Sequence, residues 1–331
     1  MRILVTGGAG FIGSHVADRL LADGHTVDVV DNLSTGRRER VNAAARLFVC
    51  DLRSARLDGA FGAARPEAIV HLAAQAAVPR SVADPRFDAS VNVLGTLAVL
   101  DAARRVAVRR VVYISTGGAV YGDTDVLPTP EDHPTRPASP YGVSKLAGER
   151  YLECWAGLTG TPTLTLRLAN IYGPRQDPQG EAGVVAIFTA RLLGGAECVV
   201  NGDGEQTRDY VYVEDVADAA ARALANPDAT GVVNIGTGVA TSVNDLYRRL
   251  ARQVGVTRPA RHAPARPGEQ RKSLLDAARA KALLGWTATT SLDAGLAKTV
   301  AYFRERSHAN LQQATSGGGG LVNPATKETR T

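Results

Sequence analysis

The chain has 331 residues, 44% of them hydrophobic, with 38 basic and 33 acidic side chains and a formal charge of +5. That size supports one large domain or two modest ones, and no apolar run approaches the ~20 residues of a membrane-spanning helix. The arginines form no stripe, which argues against nucleic acid as a partner; three distant cysteines and six scattered histidines suggest neither a disulfide framework nor a metal site.

The N-terminus, Met1 to Val5, has no signal-peptide regions and enters a strand at once, so a cytoplasmic enzyme is expected. Arg2 to Thr6 reads as the first strand and Gly13 to Asp23 as a helix stopped by Gly24. Between them lies Thr6-Gly7-Gly8-Ala9-Gly10-Phe11-Ile12-Gly13. Glycines here let the backbone approach a pyrophosphate, and the helix start offers unpaired N–H groups. The next strand, Thr26 to Val30, ends at Asp31, eighteen residues past Gly13. A carboxylate there accepts hydrogen bonds from ribose hydroxyls and repels a 2′-phosphate, which favours NAD over NADP. Arg37 and Arg38 lie nearby and read as solvent-facing charge.

Further strands are read at Leu47 to Cys50, Ala68 to Ala73, Val111 to Ser115 and Thr163 to Leu168. Strands separated by helical patterns imply right-handed crossovers, so the expected fold is α/β: a Rossmann-type doubly wound parallel sheet. Ser139-Pro140 reads as a cap and first turn, starting a helix to about Gly157. That helix carries Tyr141 and Lys145, four apart and therefore on one face. An ammonium beside a phenol favours the phenolate and moves it toward the range of a general base. The alternation weakens after Tyr172, so residues 1–172 are expected to bind NAD and 173–306 to build a smaller substrate-binding lobe. Val232 to Ile235 is strand-like and can return to the sheet, and 307–331, with its glycine run, reads as a flexible tail.

These motifs, in this order, resemble the extended short-chain dehydrogenase/reductase family, and within it the NAD-dependent nucleotide-sugar epimerases of the UDP-glucose 4-epimerase type. The resemblance spans about residues 1–305. It rests on the glycine loop, Asp31-Asn32-Leu33-Ser34-Thr35-Gly36, Asp51-Leu52, His71-Leu72-Ala73-Ala74, Asn92, Ser115-Thr116-Gly117-Gly118-Ala119-Val120-Tyr121-Gly122 and the Tyr141/Lys145 helix. Asn170 to Pro174, Gly202 to Tyr210 and Arg266-Pro267-Gly268-Glu269 complete it. The resemblance implies NAD held by Gly7, Gly10, Phe11, Ile12, Gly13, Asp31, Asn32, Ser34, Thr35 and Gly36. Asp51 and Leu52 would lie by the adenine, and Leu72, Ala73, Ala74, Asn92, Ser115, Tyr141 and Lys145 along the nicotinamide side. It also implies a UDP-sugar held by Asn170, Arg208, Tyr210, Arg266 and Glu269, and a homodimer formed through the helices after Pro85 and Pro140.

Dehydratases of the family carry an Asp-Glu pair after the catalytic threonine; here those positions hold Gly118 and Ala119, which favours epimerization at C4. The hydroxyl that completes the site is expected at Thr116, with Ser115 next. Seven residues past Arg266, where the family limits the sugar 2-substituent, stands the small Ser273, leaving room for N-acetylated sugars. UDP-glucuronate epimerization, a related dehydratase or ketosugar reductase, and a non-enzymatic NAD-binding regulator are the alternatives.

Overall fold

The computed structural model describes residues 1–179, 183–265 and 270–316. The six strands read from the sequence all form: β1 (Arg2–Thr6), β2 (Thr26–Asp31), β3 (Arg46–Val49), β4 (Ala68–His71), β5 (Arg110–Thr116) and β6 (Thr163–Leu168). A seventh, Gly231–Ile235, returns from late in the chain and sets Val233 opposite Leu166 of β6. The order across the sheet is that seventh strand, then β6, β5, β4, β1, β2 and β3, with every neighbour parallel. The order reverses between β1 and β4, so a crevice opens there at the carboxyl ends of the strands.

Burial on both faces explains the near-continuous apolar strands. Along β1, Ile3 and Val5 enter one core with the helices Phe11–Ala22 and Val213–Ala225; Leu4, between them, enters the other. That second core includes Leu57, Phe61, Val99, Leu100, Leu152 and Trp155, so helices close both sides of the sheet. A separate cluster, rich in aromatics, gathers Tyr172, Phe188, Tyr210, Tyr212 and Tyr247 with Leu246 and Leu250.

The fourth strand stops at His71 rather than Ala73, and two helix boundaries differ from the sequence reading for identifiable reasons. The first helix starts at Phe11 rather than Gly13, because the glycine loop closes straight into helical backbone from Gly10. The last helix, Leu292–Ser316, continues into the segment expected to be a tail. Residues 307–316 contain Ala, Leu and Gln and no Gly or Pro, so nothing breaks the helix before the glycine run. The rest of the expected tail, 317–331, lies outside the described residues. None of the described helices is long and apolar enough to cross a membrane.

Candidate active site

The glycine loop turns where β1 meets the first helix. Gly7 has φ +73, and a Cβ there would lie 2.8 Å from the Ala73 backbone nitrogen. A Cβ on Gly13 would drive into the Gly7 carbonyl. Only glycine lets these three backbones meet. No side chain caps the Phe11–Ala22 helix, so its first N–H groups are not taken by a cap. Leu72 and Ala73 border the loop because their N–H groups bond the Thr6 carbonyl and hydroxyl, at 3.1 and 3.2 Å; Ala74 follows them.

Asp31 ends β2 and is buried; its carboxylate accepts the N–H groups of Ala9 and Leu33, at 3.0 and 2.8 Å. Burial pushes its pKa up, against those two hydrogen bonds. A carboxylate has about four acceptor positions, so capacity remains for ribose hydroxyls. The loop through Ser34, Thr35 and Gly36 folds back over it: a Cβ on Gly36 would stand 2.7 Å from Asp31 Oδ1, and the Arg37 N–H closes onto the Ala9 carbonyl at 2.9 Å. Arg37 itself leans to Asp177, at 3.5 Å. Asn32 donates to Asp51 at 3.0 Å, and Arg53 holds the Asp51 carboxyl well below the usual carboxylate range. Leu52 is buried beside them. Uncapped helix start, cleared backbone and acidic strand end fit NAD.

The helix Pro140–Thr159 is capped by Ser139, whose hydroxyl accepts the Gly142 N–H at 3.2 Å. It brings Tyr141, Lys145 and Glu149 to one face, above β5. The Lys145 ammonium lies 4.1 Å from the centre of the Tyr113 ring of β5. Burial brings its pKa down to about 7, opposed by the charges of Glu149 and Asp88. The Tyr141 phenol is pushed up to about 12, again by burial first and by Asp88 second. The expected low phenol pKa is therefore absent in the chain alone: loss of water outweighs the help of one lysine. Beneath them His71 accepts or donates to Thr6 and Thr96, at 2.6 and 3.0 Å, and burial lowers its pKa to about 3, leaving a neutral ring.

The two candidate hydroxyls part company. Ser115 is buried and donates to Glu149 at 2.5 Å. It shares a face of β5 with Tyr113, the face on which Lys145 lies. Thr116, half-buried, ends β5 and caps the short helix Gly117–Tyr121, accepting the Ala119 N–H at a long 3.5 Å. Its own O–H proton remains to be donated. Asn92 also works through the protein. Its side chain bonds the Gln75 backbone on both sides, at 2.8 and 2.9 Å, and also bonds Asp88 and Ser144. It clamps the loop after β4 to the helix Pro140–Thr159.

The later residues converge by strand pairing. Asn170 stands beside Tyr210, and Arg208 beside Ser273. Asp209, fully buried between Arg208 and Tyr210, fixes this region: its carboxylate accepts the Thr237 N–H and hydroxyl, at 2.8 and 2.5 Å, and the Gly238 N–H at 3.0 Å. The strand Lys272–Ser273 then crosses over the glycines that follow Thr116. A Cβ on Gly118 would lie 3.1 Å from Ser273 Oγ, and one on Gly117 would lie 2.5 Å from a Leu275 methyl. Gln270 donates to the Gly122 carbonyl at 2.6 Å. Leu275 and Gln270 carry no motif that sequence reading could flag; Asp209 lies within the Gly202 to Tyr210 motif, and Glu149, one turn past Lys145, went unremarked in the sequence. Arg266 and Glu269 lie outside the described residues.

Sheet and site together define a dinucleotide-binding α/β protein with a buried tyrosine–lysine pair. The sequence model of the NAD dependent epimerase/dehydratase family matches residues 3–236, and the chain belongs to that family. It is 49% identical over 312 residues to a UDP-glucose 4-epimerase of Mycolicibacterium smegmatis, covering 93% of this chain and 100% of that one. A Thermotoga maritima UDP-glucose 4-epimerase solved with UDP-glucose superposes with a TM-score of 0.90 at 47% identity, covering 93% of this chain and 100% of that one. A Thermus thermophilus UDP-glucose 4-epimerase in complex with NAD gives 0.88 at 44% identity, covering 92% and 99%.

Proposed function

We propose that the chain is a NAD-dependent epimerase that inverts C4 of a UDP-hexose through a transient 4-keto sugar. The observation that carries this is the crevice at the end of β5: Thr116 ends that strand, the helix carrying Tyr141 and Lys145 lies over it with Lys145 4.1 Å from the Tyr113 ring centre, and no carboxylate stands at Gly118 or Ala119. Glu131, in the following loop, is committed to the Asn234 N–H at 2.8 Å. The acidic pair that dehydratases of the family carry is absent from these two positions, whereas epimerization needs only proton transfer at one hydroxyl.

NAD when bound supplies a hydride acceptor and donor for C4, and a second positive charge near the phenol. Gly7, Gly10, Phe11, Ile12 and Gly13 hold its pyrophosphate, Asp31 and Asn32 its adenosine ribose, and Lys145 its nicotinamide ribose. Tyr141 takes the proton of the sugar 4-hydroxyl and later returns it to the same oxygen once C4 is inverted. Thr116 donates its hydroxyl to the same oxygen. Arg208, Tyr210 and Asn170, with Arg266 and Glu269, hold the diphosphate while the keto sugar turns about it; Arg208 suits this because its planar fork matches phosphate oxygens. Ser273, small at the position where the resemblance places the residue that limits the sugar 2-substituent, supports turnover of 2-acetamido sugars as well.

The enzyme is also proposed to be a cytoplasmic homodimer. The helix Pro140–Thr159 leaves Val143, Tyr151 and Leu158 exposed along one stripe, the last at 81%, and Leu94 is exposed as well. Such a stripe suits helix-to-helix pairing of two copies.

Incubation with UDP-glucose, UDP-N-acetylglucosamine and UDP-glucuronate, followed by proton NMR at C4, tests the activity. C4 inversion with no net reduced cofactor is expected. Stoichiometric release of reduced cofactor, or loss of the 6-hydroxyl, would overturn it.

A further inference from the structure

A buried polar chain runs behind the crevice, and the reaction as described does not use it. Glu149 accepts Ser115 Oγ at 2.5 Å on Oε1, and Arg167 Nη2 at 2.6 Å on Oε2, with Arg167 Nε at 3.1 and 3.2 Å from the two oxygens. Both side chains of this pair are only 4% exposed. Arg167 continues to the Tyr121 hydroxyl at 2.8 Å, and Tyr121 to Asn234 at 2.9 Å. A buried ion pair is a poor source of stability, since desolvation offsets most of the attraction. Its place therefore asks for another reason. Glu149 lies one helical turn beyond Lys145, on the face already shared with Tyr141. Lys145 is 3% exposed and has no carboxylate in ion-pair contact among the described residues. An ammonium so placed survives only if charge of the opposite sign is near.

We propose that Glu149 is a positioning residue of the reaction: its carboxylate, fixed by Ser115 and Arg167, is the counter-charge that keeps Lys145 an ammonium under the crevice. Arg167 fixes the carboxylate in place without drawing it away from the lysine. Ser115, which the sequence offered as a second catalytic hydroxyl, instead serves as one of the two anchors. The other groups facing Lys145 are Tyr141 on its own helix, Asp88 from the helix Pro85–Ala89, Tyr113 from β5 and His71 from β4. Of these only Asp88 is anionic. Its Oδ1 is taken by Gln75 and Asn92, at 2.8 and 3.1 Å, while its Oδ2 is buried without a hydrogen-bond partner, so Asp88 is the second counter-charge and the Glu149 variants leave it in place. The inference rests on reading Tyr141 and Lys145 as the working pair, but its test reads the charge of Lys145 without turnover and so fails independently of that reading.

Only five lysines occur in the sequence, at 145, 272, 281, 298 and 327, so carbon-13 lysine labelling of the full chain gives a resolvable titration, assigned with Lys145→Arg. The double variant Glu149→Gln, Arg167→Met removes both charges and keeps volume, so no lone buried charge threatens the fold. Expected is a fall in the Lys145 titration of about one pH unit or more, with the alkaline edge of turnover falling with it. Ser115→Ala, a milder change, keeps both charges, removes one anchor of Glu149 and lowers the same titration by a smaller amount. A Lys145 resonance unmoved in both variants, or in whichever one folds, overturns the proposal.

Discussion

Lys145→Met offers a test in which stability, not turnover, is read. In the unfolded chain this lysine keeps its proton to about 10.5, whereas burial in the fold brings it to about 7. Below pH 7 both states hold the proton, and the full cost of burying the ammonium opposes folding. Between about 7 and 10.5 the folded state has released the proton and the unfolded state has not, so stability rises with pH across that window. The gap corresponds to about 5 kcal/mol at ~1.36 kcal/mol per pH unit. Methionine has nearly the same length and no charge, so the variant avoids the cost at every pH. Urea unfolding without cofactor should show the variant more stable by up to about 5 kcal/mol at pH 6, with the advantage shrunk by about 3 kcal/mol at pH 9. An advantage equal at the two pH values, or a variant less stable at pH 6, would refute the argument that Lys145 is held charged at a cost.

Three other outcomes are expected. Gly13→Ala places a Cβ against the Gly7 carbonyl, a backbone atom that cannot swing away; NAD binding by calorimetry should weaken by roughly tenfold or more, about 1.4 kcal/mol. Thr116→Val should lower kcat by ~100-fold while NAD affinity stays level, and steady-state kinetics with a separate binding titration check both halves. Ser273→Tyr puts a bulky ring where the resemblance places the residue that limits the sugar 2-substituent, so turnover of UDP-N-acetylglucosamine should vanish while UDP-glucose is still converted, in a side-by-side assay.

Much of the fold is written locally. The β1 pattern, the glycine loop, Asp31 after β2, and the Ser139-Pro140 start of the Tyr141 helix each declare themselves within a few residues, because period, caps and turn glycines are short-range physics. The seven strands follow from apolar runs that must be buried on both faces. The pair Tyr141 and Lys145 is likewise legible, since four residues along a helix bring two side chains to one face.

Other features depend on residues distant in sequence. Counting could not show that Glu149 takes the Ser115 hydroxyl from 34 residues away. Nothing around Gly117 announces that Leu275 seats on it, or that Ser273 arrives beside Gly118. The raised phenol of Tyr141 was equally hidden, because its neighbours Asp88 and the surrounding core come from other elements. Sequence by itself determined which chemical groups the chain has and which strand or helix carries each. Tertiary structure decided which of them meet, which are spent on one another and how far each is stripped of water, because hydrogen-bond competition and desolvation depend on neighbours that only folding brings together.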